Sequence, residues 1–301
     1  MHIRLLHALA AYIGSLAFTG TASEDAFTPL TPFARFDSPQ IDESSGIVKS
    51  RQFPNVFWTH NDSGDRARIF PVDGDGHLLK PEWFKGDYQG IEVGHAVNID
   101  WEDIATDNNG KLYIAACGNN ANARRDLAVY VVPEPNPTTA AQTRAIKTIP
   151  FAYPDQEAFP PAKLNFDCEA LFWANGKLYF LSKNRSDDRT KLYTLDSERI
   201  DQVNTLTLLS DFETGSQVTG AEATPDGQRL AVLCYRDIWI FEKPEDSENY
   251  LARPARHLRI SAKQCEAISW IDEQTLLITN EQQNLYRISL DAIPKIANET
   301  K

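Results

Sequence analysis

Positive charge is scarce in this sequence: 30 Lys and Arg stand against 42 Asp and Glu, a formal net charge of −12. A chain this acidic lacks the basic face that neutralises phosphates, which excludes a general nucleic-acid binder. Methionine is scarcer still, a single residue, and the four cysteines form no CxxC pair, which argues against a zinc ribbon. Also missing are a GxSxG elbow, an HExxH helix, a GxGxxG fingerprint and a P-loop. The apolar run Leu5 to Phe18 falls short of the ~20 residues a bilayer core requires. What the chain does have is 15 Phe, 10 Tyr, 6 Trp, 17 Pro and 15 Gly, a composition of strands and turns.

The short basic start Met1-His2-Ile3-Arg4, the apolar run and the small residues Gly20-Thr21-Ala22 read as a secretory signal peptide cleaved after Ala22. Residues 1–22 are therefore set apart, and residues 23–301 are expected to form one domain, periplasmic or secreted. No cysteine follows the apolar run, so no lipid anchor is expected, and no membrane span is expected after cleavage.

Five segments repeat one pattern, a polar or acidic residue opening a hydrophobic run, then a turn, then a second run. They are Asp42 to Val48, Asp100 to Ala105, Asp167 to Trp173, Thr219 to Ala223 and Gln264 to Trp270. Asn109-Gly110, Asn175-Gly176 and Asp226-Gly227 supply hairpin turns between the runs. Aligned on Ser45, Glu102, Glu169, Glu222 and Glu266, the segments recur every ~45–65 residues, the size of a four-stranded propeller blade with variable loops. The fold expectation is all-β, a five-bladed β-propeller, with six blades or a β-sandwich as alternatives. The last repeat runs out of chain for a fourth strand. Pro32 to Phe36 is expected to supply it and close the ring, removing an open edge.

Blade starts converge on the axis of a propeller, so Ser45, Glu102, Glu169, Glu222 and Glu266 are the candidate metal ligands. A lone Glu at a strand start is ordinarily a solvated turn residue; recurrence in one register is what sets these apart. Crowded carboxylates stay ionised only beside a cation, and an oxygen-only ligand set favours Ca2+, then Mg2+. Scaffold hydrogen bonding is the competing role. The loops at the same end carry Asn61, Arg66, Asn119, Asn120, Arg124, Arg125, Lys183, Arg185 and Arg236, expected to bind the anionic groups of a substrate. Asp62 and Glu102 are the candidate catalytic acids and bases. His60 beside them reads more readily as a packing residue. Cys117 with Cys168, and Cys234 with Cys265, are candidate disulfides between adjacent blades, although four cysteines allow three connectivities.

Glu43-x-Ser-Gly-Ile-Val, Asp100-Trp-Glu-Asp-Ile and Cys168-Glu-Ala-Leu resemble the exported SdiA-regulated and phytase-like esterase propellers of bacteria. The ring of blade-start residues is similar, separately, to calcium-activated nucleotidases, whose axial calcium is held by Glu and Ser. The resemblance implies a calcium-dependent hydrolase. The residues alone equally allow a non-catalytic monomer in which calcium is structural and the loops bind a protein, a glycan or another envelope ligand. Whether the chain is an enzyme is left open at this point.

Overall fold

The computed structural model describes residues 26–297; the signal-peptide expectation lies outside the described residues. Among the described residues, five small sheets carry nearly all the regular structure, with two short 3-10 turns at Tyr250–Ala252 and Leu290–Ala292 besides. None of the described helices is long and apolar enough to cross a membrane.

Each sheet is a blade whose innermost strand begins at a repeat motif. These strands are Ser44–Lys49, Ile104–Thr106, Asp167–Ala174, Val218–Ala223 and Cys265–Asp272. Three further strands follow outward by antiparallel pairing in the first four blades. The fifth blade lacks its own outer strand. Ala34–Arg35 supplies it, pairing antiparallel with Asn284–Ser289, so the ring closes as expected and has five blades, not six. A second closure was not legible in the sequence: Thr28–Pro29 adds in parallel to the outer strand of blade four, Pro254–Ser261. The amino-terminal segment therefore ties two blades together.

Apolar side chains collect at the seams between blades. Five buried clusters occur, one per seam. The closing seam between blades five and one joins Phe36, Ile47, Phe57 and Phe70 to Ala267, Leu277 and Leu285. Each fully buried Phe or Leu there contributes about 1.5–3 kcal/mol. The period-two alternation of the strands sends successive side chains into the seams on either side, which is why both faces read as hydrophobic.

The seams also correct the cysteine expectation. All four cysteines are buried free thiols. Cys234 packs in the seam of blades three and four and Cys265 in the seam of blades four and five, so a sheet separates them. Cys117 and Cys168 share a seam, but the Cys117 thiol donates to the Cys168 carbonyl at 3.6 Å. No bridge links them.

Candidate functional site at the axial mouth

Four inner strands carry a β-bulge near their start, between Ser44 and Gly46, Cys168 and Ala170, Val218 and Gly220, and Cys265 and Ala267. In blade two, Glu102 and Asp103 both hydrogen-bond Ala115, the same two-against-one arrangement. A bulge re-aims one side chain away from the regular alternation. The bulged residues are Ser45, Glu102, Glu169, Thr219 and Glu266.

Blade four is thus registered three residues earlier than the repeated Glu suggested. Thr219, not Glu222, is the counterpart of the other four. The legible signal was the small residue after the bulge: Gly46, Ala170, Gly220 and Ala267 match once Thr219 is aligned. The position must be small because it abuts the next inner strand; a Cβ on Gly220 would lie 3.0 Å from the Glu266 carbonyl. Glu222 instead faces the opposite mouth of the channel, where its carboxylate accepts from the Trp270 amide at 2.5 Å.

The bulge end opens into a cavity of about 250 Å3, whose lining includes Ser45, Asp62, Glu102, Glu169 and Glu266. Four of the five expected ligands and both expected catalytic acids therefore meet there. The Ser45 hydroxyl donates to the Glu102 carbonyl at 2.8 Å and lies 3.5 Å from its carboxylate. Asp62, Asp100 and Glu102 present oxygens within 4.8 Å of one another, and so do Glu102, Asp167 and Glu169. Glu102 belongs to both groups. Asp100 and Asp167 each lie two residues before a bulged residue and bring a carboxylate to Glu102.

Cations answer only part of this charge. Lys183 pairs with Glu169 at 3.1 Å, and Arg185 pairs with Asp167 at 2.6 Å and Glu169 at 3.5 Å. Among the described residues, Asp62, Asp100 and Glu102 have no Lys or Arg partner within ion-pair distance. Burial, reinforced by Glu169 and Asp62, holds the Glu102 carboxyl well above the usual range. Burial raises Glu169 likewise, with Asp167 adding and Lys183 opposing. Burial pushes Asp100 up to about 6, and Glu266 up to about 7 against the pull of Lys183.

The other expected anion binders divide. Lys183, Arg185 and Asn120 line the cavity. Asn61 is buried and donates to the Gln40 carbonyl, Asp42 and Asp65. Asn119 donates its amide to Asp167 and its side chain to the Phe166 carbonyl. Arg66 pairs with Glu92 in solvent, Arg124 bonds the Gly118 carbonyl and Asp126, and Arg125 stacks on Phe159. Arg236 lies toward Phe27. These six build loops. His60 is buried edge-on to Trp101 with Nδ1 on the Asn61 carbonyl, a packing residue.

Gly118 makes the acid cluster possible. A Cβ there would lie 2.0 Å from the Glu102 Oε1 and 2.4 Å from the Asp100 Cγ. Gly118→Ala must displace both carboxylates, which are flexible ends, so the fold survives with a loss of about 1–3 kcal/mol. Terbium luminescence titration of this variant is expected to show cation affinity reduced about tenfold or more, each tenfold being about 1.4 kcal/mol.

The raised carboxyls also set a pH dependence. A folded-state pKa above the ordinary value adds stability while the group is protonated and loses it as pH climbs through the folded pKa. Glu222 and Glu266 both sit at about 7. His60, held neutral by burial, works oppositely up to its ordinary 6.5. The metal-free chain is therefore expected to lose several degrees of melting temperature between pH 6.5 and 8, read by calorimetry in chelator.

Comparisons place the architecture and nothing finer. No family model matches this sequence and no curated protein matches it. Among solved structures, the PQQ-bound form of an aldose sugar dehydrogenase from Streptomyces coelicolor aligns over 86% of this chain and 97% of that one, with 9% identity and a TM-score of 0.50. A chain of a mitotic checkpoint complex aligns over 81% of this chain at 12% identity with a TM-score of 0.40; this protein spans 62% of that chain. At 9% identity the likeness to the sugar dehydrogenase is one of fold alone, a propeller arrangement of blades.

Proposed function

We propose that this protein is an exported propeller holding a hard divalent cation at the bulge-end mouth, calcium first and magnesium second, and that it hydrolyses small anionic phosphoesters, phosphoanhydrides or esters there. One observation carries the reading: two carboxylate groups, one half-buried and one fully buried, share Glu102, and the cations nearby neutralise only the second of them. Its donors are oxygens throughout, carboxylates with the Ser45 hydroxyl, the ligand chemistry of calcium and magnesium. The opening beside Gly118 keeps the carboxylates free to turn toward a shared ion.

When bound, the cation supplies Lewis acidity to the scissile group. The chain's own residues do the rest. Glu102, shared and buried, is committed to holding charge in place. Asp62 is partly exposed at the mouth, held by the Asn98 side chain on its carbonyl at 2.8 Å, and is placed to take a proton from an attacking water. Lys183 and Arg185 hold oxyanions, and Asn120 orients them.

A second reading keeps calcium structural and gives the loop face to a protein, glycan or envelope ligand. The pairing of Lys183 and Arg185 with the acids favours it, because both cations are already engaged. The test is elemental analysis of the purified protein, with a phosphoester, phosphoanhydride and ester panel run with calcium and in chelator. Bound metal with turnover that chelation abolishes supports the hydrolase. Metal without turnover leaves the second reading, and neither metal nor a chelation effect removes both.

A further inference from the structure

The channel has a second mouth. Asp103 closes the space between the two ends: its carboxylate accepts from the Ile104 amide at 2.8 Å, from Leu171 of blade three at 2.9 Å and from Ala221 of blade four at 3.4 Å. Beyond it, at the far ends of the inner strands, lies a cavity of about 550 Å3. That volume falls within the range of small-molecule sites, roughly 300–1,000 Å3.

Its charges nearly balance. Lys49, Arg51 and Arg229 face Glu222, Asp226, Asp272 and Glu273. Among the described residues none of these seven pairs with another within ion-pair distance. Glu222 is 8% exposed and takes a hydrogen bond from the Trp270 amide, with Arg51 and Lys49 drawing on it from a distance. Lys49 is occupied by the Ile271 carbonyl at 2.5 Å. Arg51 gives one nitrogen to Asn108 at 2.8 Å and lies 5.2 Å over Trp173; Arg229 lies 5.0 Å over Trp270. Both guanidiniums are thereby oriented while other donors remain open, since Arg carries five.

We propose that this second mouth is a binding site for a neutral polyhydroxylated ligand, a monosaccharide or short oligosaccharide, held between Arg51 and Glu222. A hydroxyl donates and accepts at one atom, so it bridges a guanidinium and a carboxylate that stand too far apart to pair directly. A phosphate or carboxylate ligand would face four acids, and an ammonium ligand three bases. The balanced lining selects against both. The site stands on its own geometry and does not depend on a cation at the axial mouth.

The test is isothermal titration and saturation-transfer NMR of the full purified chain with D-glucose, D-galactose, D-mannose and maltose, against glycine and inorganic phosphate as charged probes. A saturable signal from at least one of these neutral sugars is expected, weakened at least tenfold by Arg51→Ala and by Glu222→Gln, with the calcium response of both variants unchanged. Arg51→Ala removes a partly buried side chain that is not in a strand, so it reports even if Glu222→Gln fails to fold. No saturable neutral sugar, a signal that survives both substitutions, or tighter binding of glycine or phosphate at this mouth overturns the proposal.

Discussion

Calcium added to the metal-free chain is expected to raise its melting temperature by roughly 10 °C, and a chelator to take the gain away. A cation that binds only the folded state at about a thousand times its Kd adds about 4 kcal/mol. For a domain of this size each kcal/mol shifts the midpoint by about 2–4 °C. The effect is large because the metal-free mouth is strained by its own charge. Glu102, Asp100, Glu169 and Glu266 are all held above their ordinary pKa values by burial, and like charges add to it. A cation relieves several of these penalties at once. The gain grows with pH, because protons compete for the same oxygens below about pH 7. Calorimetry at pH 8 with calcium, magnesium or chelator measures it. A midpoint indifferent to both ions would mean that the acids serve as scaffold, hydrogen-bonded and protonated.

Glu102→Gln separates the roles of that mouth more sharply than any other substitution. It removes the carboxylate common to both groups and keeps its shape. Turnover is expected to fall by about 10²–10³ or more, because the charge that positions the cation is gone. The calcium-dependent rise in melting temperature is expected to shrink to a small fraction. The metal-free variant should melt higher than the metal-free parent, because a buried charge among like charges has been replaced by a neutral amide. Kinetics on the active member of the panel and paired melts measure all three. A lower metal-free midpoint would instead identify Glu102 as a structural acceptor. A lost calcium response with no activity to lose in the parent would leave the structural-calcium reading standing.

Much of the architecture was legible because a propeller is a repeat. Motif, turn and hydrophobic run recur locally, and the missing outer strand of blade five pointed to the amino-terminal segment that fills it. The added parallel strand Thr28–Pro29 was not legible, since two residues carry no period of their own. The mouth was legible at Ser45, Glu102, Glu169 and Glu266, where an acid or hydroxyl opens the repeated hydrophobic run. It was misread at Glu222, where a Glu lies near the expected place but three residues past the bulge. The basic loops misled in the same way: Arg66, Arg124 and Arg125 are near the mouth in sequence yet bind their own loops and neighbours.

Strand period, turn dipeptides and repeat length are written in neighbouring residues, and they determine by themselves that this protein is a ring of β blades with acids at the blade starts. Which of those acids share a space is decided by tertiary structure alone. A single bulge reverses the direction of a side chain, a single register shift carries Glu222 to the other mouth, and Gly118 brings Asp100 and Glu102 together from across a turn. None of these leaves a periodic trace, because each depends on how close one backbone comes to another.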